Sequence, residues 1–216
     1  MGSIRAFIFD LDGVITDTSE FHYQAWQRLA REEGLYFSRQ DNEALRGVAR
    51  RESLNLILKG TKLPEATAEA WMERKNNYYI EMVNKMSPND LLPGAKELLN
   101  ELRLAGLKVA IASSSKNARL VIQRLHLGNF LDAIVDGTMV ANSKPAPDLF
   151  LKAAELLDVP PVQCVVVEDA SAGVEAGKGA GMHTIGLGPV ERVGQANLVL
   201  SDLHAARLVD ILDRLE

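Results

Sequence analysis

The chain has 216 residues, 47% hydrophobic and 25% charged, with a net charge of −5. That is enough apolar material to bury a core without disulfides or a structural metal, in one domain with room for a smaller one. The mildly acidic balance excludes a broad basic face for nucleic acid, no apolar run reaches the length of a membrane span, and the lone Cys164 excludes an internal disulfide.

The first element is expected at Ile4–Phe9, a short apolar run halted by Asp10-Leu11-Asp12-Gly13 and read as a buried strand. From about Thr18 to Met86 the texture is helical. Phe21, Ala25, Leu29 and Ala30 share one stripe, with Thr18 or Ser19 as N-cap. Leu54, Ile57 and Leu58 form a second stripe, and Trp71, Tyr78, Tyr79 and Met82 a third, with Trp71 read as core. Pro88 marks a boundary, and Pro93-Gly94 opens a helix over Ala95–Ala105. Strands are then expected at Leu107–Ala112, Ala133–Val135, Val165–Val167, His183–Gly186 and Leu198–Leu200. Helices are expected at about Asn117–Leu125, Asp148–Leu157, Ala172–Gly179 and Leu203–Leu215. Cys164, at the head of an apolar run, reads as a small buried hydrophobe.

Strands alternating with helices predict an α/β fold: a Rossmann-like parallel sheet core covered by helices on both faces. The helical stretch predicts a small α-helical cap domain inserted after the first strand. Residues 1–16 and 88–216 then form the core and residues 17–87 the cap, joined by two crossings that make a hinge. The N-terminus has no basic stretch followed by an apolar segment, so no secretory signal is expected and the cytoplasm is the expected address. Nothing in the sequence demands more than a monomer.

In an open parallel sheet the ligand sits at the carboxyl ends of the strands. Four stretches deliver polar groups to that rim: Asp10 and Asp12, then Ser113 through Asn117, then Lys144, then Glu168 and Asp169. Taken singly these are an exposed carboxylate pair, a helix cap, a surface lysine and another cap. Together at strand ends they suggest one site. Residues two apart in an extended chain face the same side, so two carboxylates can serve one substrate. One attacks phosphorus to form an acyl phosphate, while the other, kept protonated, serves as acid and then base. So many carboxylates in one cleft imply a hard cation, and Mg²⁺ shares oxygen ligands with phosphate and water. Ser113 and N–H groups at the following helix start suit phosphate oxygens, and Lys144 suits transition-state charge.

Asp10-Leu11-Asp12-Gly13-Val14, the Ser113/Ser114 position, Lys144-Pro145 and Glu168-Asp169 resemble the four motifs of the haloacid dehalogenase superfamily, in its order. The helical insert resembles that superfamily's small cap. Phe9 through Thr18 with His22 and Ala25-Trp26, Leu45 through Arg50, Arg74-Lys75-Asn76, Ala112 through Asn117, and Ser143 through Asp148 are similar to the β-phosphoglucomutase family. That resemblance implies interconversion of β-D-glucose 1-phosphate and D-glucose 6-phosphate through a phosphoaspartyl enzyme and β-glucose 1,6-bisphosphate. It implies Asp10 as nucleophile, Asp12 as general acid and base, and Mg²⁺ held by Asp10, the Asp12 carbonyl, Glu168 and Asp169. Ser113, Ser114 and Lys144 would hold the transferring phosphate, and Arg50, Ser115, Lys116 and Asn117 the other. Thr18, His22, Trp26, Arg46, Gly47, Val48 and Lys75 would meet the sugar or position Asp12. Arg46 stands where these mutases usually have Lys, and Ala49 where they usually have Ser.

A bisphosphate must be gripped at both ends, and Arg50, Lys75, Ser115, Lys116 and Asn117 offer the second grip, which favours a mutase. The alternatives are a sugar-phosphate or phosphoglycolate phosphatase on the same scaffold and a non-catalytic binding module. His126, His183 and His204 share no ligand-like spacing.

Overall fold

The structure is a computed structural model that describes residues 3–204 and 206–215. In chain order the elements are β1 (Ala6–Phe9), α1 (Thr18–Glu32), α2 (Arg39–Glu43), α3 (Arg50–Leu58), α4 (Glu65–Val83), α5 (Ala95–Leu104), β2 (Lys108–Ala112), α6 (Ala118–Arg124), β3 (Ala133–Val135), α7 (Asp148–Leu157), β4 (Cys164–Glu168), α8 (Ser171–Gly179), β5 (His183–Leu187), α9 (Val190–Val193), β6 (Leu198–Leu200) and α10 (Leu208–Leu215). The strands form one six-stranded parallel sheet in the order β3-β2-β1-β4-β5-β6.

Central β1 shows why the sheet must be covered twice. Ala6 and Ile8 face one side and pack with α7 and α8 residues such as Phe150, Ala153 and Ala176. Phe7 and Phe9 face the other and pack with Leu98 of α5, Val121 of α6 and Ile211 of α10. All four are fully buried, which a strand with apolar residues on both faces requires.

Strand order reverses at β1, between β2 and β4. Phe9 pairs with Val167, so Asp10 and Glu168 emerge together at the topological switch point, where doubly wound sheets bind ligands.

Helices α1–α4 lie between β1 and β2 and enclose their own apolar cluster, including Trp26, Leu29, Leu54, Ile57 and Ala68. The chain leaves and re-enters the sheet side by side. Thr16 bridges to Leu91, Leu92 N–H donates to Ile15 C=O at 2.9 Å, and the Thr16 hydroxyl donates to Asp90 C=O at 2.7 Å.

Three expectations change. The N-cap of α1 is Asp17, without a side-chain cap bond; its carboxylate accepts from the Ser19 hydroxyl, and the Thr18 hydroxyl is turned to Asp12. Trp71 is only half-buried at the edge of the helical cluster. The closing helix begins at Leu208, where the Glu101 carboxylate accepts the Leu208 N–H at 2.8 Å; Ala205, inside the expected span, lies outside the described residues. Among the described residues no helix is long and apolar enough to cross a membrane.

Candidate active site

Beyond β1 the chain turns sharply, and Asp12 N–H donates to Asp10 Oδ2 at 3.0 Å. The turn needs Gly13, with φ +84°. A Cβ there would collide with the Asp169 carboxylate, so the glycine also makes room for Asp169 against the loop. Gly13→Ala should therefore cost about 1–2 kcal/mol in backbone strain and displace Asp169. Where Asp169 is a metal ligand, Mg²⁺ affinity should fall at least about tenfold; unchanged affinity by titration calorimetry would remove Asp169 from the ligand set.

Lys144 arrives from the loop before α7 and is buried beneath Asp10. Its ammonium donates to Asp10 Oδ1 at 2.5 Å and to Glu168 Oε1 at 2.6 Å. The second Glu168 oxygen accepts the Ala170 N–H at 2.8 Å. Burial alone would lower the Lys144 pKa, but Asp10 and Glu168 carry it above the ordinary lysine value. Asp10 is pushed up to about 6, by burial first and the Glu168 charge next, with Lys144 opposing.

Asp12 sits differently. The Thr18 hydroxyl donates to its Oδ1, and the Ser113 hydroxyl lies 3.4 Å from its Oδ2. Burial, then the charges of Asp10 and Asp169, push it up to about 8. Side by side, then, one carboxyl tends to ionise and the other to keep its proton at neutral pH, which is the division of labour a nucleophile and an acid need. His22 Nε2 lies 3.9 Å from Asp12 Oδ1, and His22 Nδ1 is 2.7 Å from the Lys75 ammonium. Burial, Lys75 and Arg50 lower the His22 pKa well below the usual imidazole value. His22 is therefore neutral, and its Nδ1 can accept from Lys75.

Lys75 is 1% exposed, boxed by the ring faces of Trp26 and Tyr79 at 5.0 and 5.2 Å. Burial and the Arg50 charge lower its pKa well below the ordinary value. Arg50 donates to Asn76 Oδ1 at 2.8 Å, and Asn117 Nδ2 donates to the same oxygen at 2.8 Å. Asn76 thus joins α4 to the rim after β2. Ser114 donates to Gly47 C=O at 3.1 Å, a second contact between rim and insert.

Between sheet and insert lies a cavity of about 540 Å³ whose walls include Asp10, Asp12, His22, Arg50, Lys116 and Asp169. Trp26, Arg46, Gly47, Val48, Lys75, Ser114 and Ser115 also reach it, whereas Thr18, Ser113, Asn117, Lys144 and Glu168 stand behind the wall. Each of those five is tied to another member of the site.

Mg²⁺ suits this donor set. Among the described residues no three His, Cys, Asp or Glu side chains are arranged to hold a metal, but Mg²⁺ usually takes one or two carboxylates and completes its shell with phosphate and water. Asp10, Asp169 and the Asp12 carbonyl could hold it, with Glu168 beside them. Asp169 is pushed up to about 7, by burial first and then by Glu168 and Asp10; such mutual repulsion favours a cation. A protein cation already faces it, for Arg46 Nη1 donates to Asp169 Oδ2 at 3.0 Å.

Sequence reading missed Asn76 as a bridge and Arg192, 3.9 Å from Asp169 on four-residue α9. Neither carries a local signal.

A family model described as haloacid dehalogenase-like hydrolase matches residues 4–181. A β-phosphoglucomutase of Bacillus subtilis (strain 168) is 45% identical over 201 residues, covering 91% of this chain and 89% of that protein. A phosphorylated carbohydrates phosphatase of Thermotoga maritima is 30% identical over 187 residues, covering 84% of each. The crystal structure of a β-phosphoglucomutase from Clostridium difficile superposes with a TM-score of 0.95 at 39% identity, covering 98% of this chain and 97% of that one.

Proposed function

We propose that this chain, which belongs to the haloacid dehalogenase-like hydrolase family, interconverts β-D-glucose 1-phosphate and D-glucose 6-phosphate by phosphoryl transfer through Asp10. The observation that carries this reading is a cavity lined by two unlike sets of groups. Asp10 and Asp12 form one; Arg50 and Lys116, with Lys75 joined through His22 to the Asp12 side, form the other, and among the described residues none of these cations pairs with a carboxylate. Lys75 is buried and Arg50 half-buried, and cations so placed without counter-ions are costly unless an anion completes them, while Lys116 is exposed at the rim. A phosphatase needs one phosphate site, whereas a mutase must hold the phosphate that stays while the other moves.

Asp10 attacks the phosphorus of β-glucose 1,6-bisphosphate, and the P–O bond to the sugar breaks as the acyl phosphate forms. Asp12, kept protonated by burial and its neighbours, gives its proton to the leaving sugar oxygen. In the reverse direction it takes a proton from the attacking hydroxyl, and the phosphoryl group returns to sugar. The bisphosphate must turn end for end between the two transfers, because its two phosphates exchange places. Thr18 and Ser113 hold the Asp12 carboxyl, and Lys144 offsets charge around Asp10. The cofactor implied is Mg²⁺, which Asp10, Asp169 and the Asp12 carbonyl would hold and which would shield the carboxylate from the phosphate it approaches. Residues 17–87 form the lid that keeps water from the phosphoaspartate. The second reading, a sugar-phosphate phosphatase, is favoured by the similarity to the Thermotoga maritima phosphatase.

One assay separates them. Protein is given β-glucose 1-phosphate, Mg²⁺ and a trace of glucose 1,6-bisphosphate, and glucose 6-phosphate and free phosphate are followed together. The mutase yields glucose 6-phosphate with little free phosphate. Free phosphate as the main product would replace the mutase with the phosphatase.

A further inference from the structure

Tyr79 is the largest fully buried side chain in the described chain. It belongs to α4, yet it is part of the apolar cluster that holds Phe9, Leu11 and Ile15 rather than of the insert's own cluster. It stacks on His22 with centroids 4.1 Å apart and planes 23° apart, and the Lys75 ammonium lies over its face. Burial and then the Asp12 charge push the Tyr79 pKa well up, against the Thr18 and Ser115 hydroxyls, yet among the described residues its oxygen makes no hydrogen bond. Asn76, one turn earlier on α4, accepts from Asn117 at 2.8 Å, so this helix lies against the segment that carries Ser115.

Packing does not explain that oxygen. Phenylalanine would fill the same space, and an unsatisfied buried hydroxyl costs about 1–3 kcal/mol. Ser115 shows the complementary feature. Its Oγ accepts the Asn117 N–H at 3.2 Å and its residue lines the cavity, but its own O–H has no acceptor among the described hydrogen bonds. Two adjacent hydroxyls with unspent donors, one facing the cavity and one behind it, form a chain that lacks its terminal acceptor.

We propose that Tyr79 is a positioning residue for the phosphate that stays behind: the Ser115 O–H donates to a phosphate oxygen and the Tyr79 O–H donates to Ser115 Oγ. The inference rests on the sugar-phosphate reading above. Phosphate at Ser115 then completes the buried hydroxyl of the same ring that carries His22 and Lys75 toward Asp12. Occupancy of the far phosphate site and placement of the acid are thereby linked through one side chain.

The test is Tyr79→Phe, which removes only the oxygen. Without ligand, its thermal midpoint should equal or exceed the wild type's, because an unsatisfied polar group is gone. The rise in midpoint caused by saturating glucose 6-phosphate should shrink by about half or more, and KM for β-glucose 1-phosphate should rise about tenfold, as loss of one charge-assisted chain would give. Tyr79→Phe added to Ser115→Ala should bring little further rise in KM, because without the Ser115 Oγ the Tyr79 hydroxyl has nothing left to position. A variant whose ligand-induced rise matches the wild type's overturns the assignment, whatever its midpoint without ligand. So does full additivity of the two substitutions. If glucose 6-phosphate produces no rise in the wild type, the substrate reading falls and this inference with it; a normal wild-type rise retained by the variant sinks Tyr79 alone.

Discussion

Asp10→Asn is expected to lower mutase turnover by at least about 10⁴-fold, the scale on which removal of a covalent nucleophile acts. The substitution keeps the side chain's shape but removes its nucleophilic oxygen pair. Wild-type protein incubated with glucose 1,6-bisphosphate should gain the mass of one phosphoryl group, and the variant should gain none. The fold should survive. Asp10 is buried beside Glu168, and burial is the chief reason its pKa stands at about 6, so a neutral amide relieves a desolvated charge. The Asp12 carboxyl, held up partly by the Asp10 charge, should titrate lower. Thermal stability near the wild type's with no phosphoprotein formed is the expected pair of results. Near-normal turnover would end Asp10's role as nucleophile.

Lys144→Met should be the most destabilising single change in the site. Lys144 is 3% exposed and stands between Asp10 and Glu168. Removing one member of a buried ionic set strands the others, at about 3–5 kcal/mol. The loss should depend on pH with a definite sign. Asp10 has a folded pKa of about 6 against an ordinary 3.8, so the folded state holds its proton longer than the unfolded state. Such a raised carboxyl lowers stability as pH rises from the unfolded toward the folded value. Lys144 is what restrains the rise; without it the folded pKa climbs further and the window extends above pH 6. Urea midpoints at pH 5.5 and pH 8 should therefore show a larger deficit at pH 8. A deficit independent of pH would mean that lost packing, not stranded charge, explains the effect.

Much of the sheet was legible because each strand is an apolar run cut by a turn signal. The Asp148–Leu157 helix and the Ala133–Val135 and Leu198–Leu200 strands fall where expected. Asp10, Lys144 and Glu168 meet because each stands just past an element that the pattern reveals. What escaped had no local trace. Helix α2 is five residues held by a capping box between Ser38 and Asp41, without a buried side. Lys75 would be expected in solvent by residue type; only the rings of Trp26 and Tyr79, brought from separate turns, show why it is buried. The Arg46–Asp169 contact joins residues 123 apart, and no periodicity announces a pair at that range. Thr18 looked like a cap because its neighbours begin a helix, whereas its hydroxyl serves a carboxylate across the turn.

The paired crossings carry a mechanical consequence. Because Ile15 and Thr16 are hydrogen-bonded to Asp90 and Leu92, the two tethers of the insert behave as one ribbon, not as two independent strings. A ribbon bends about its short axis far more readily than it shears, so the insert is expected to pivot rather than slide. The pivot begins just past Asp12, and Thr18, the first residue of the first helix beyond it, grips that carboxyl. Any tilt of the insert must therefore pull on the Asp12 carboxyl as well as on the Arg46–Asp169, Gly47–Ser114 and Asn76–Asn117 contacts.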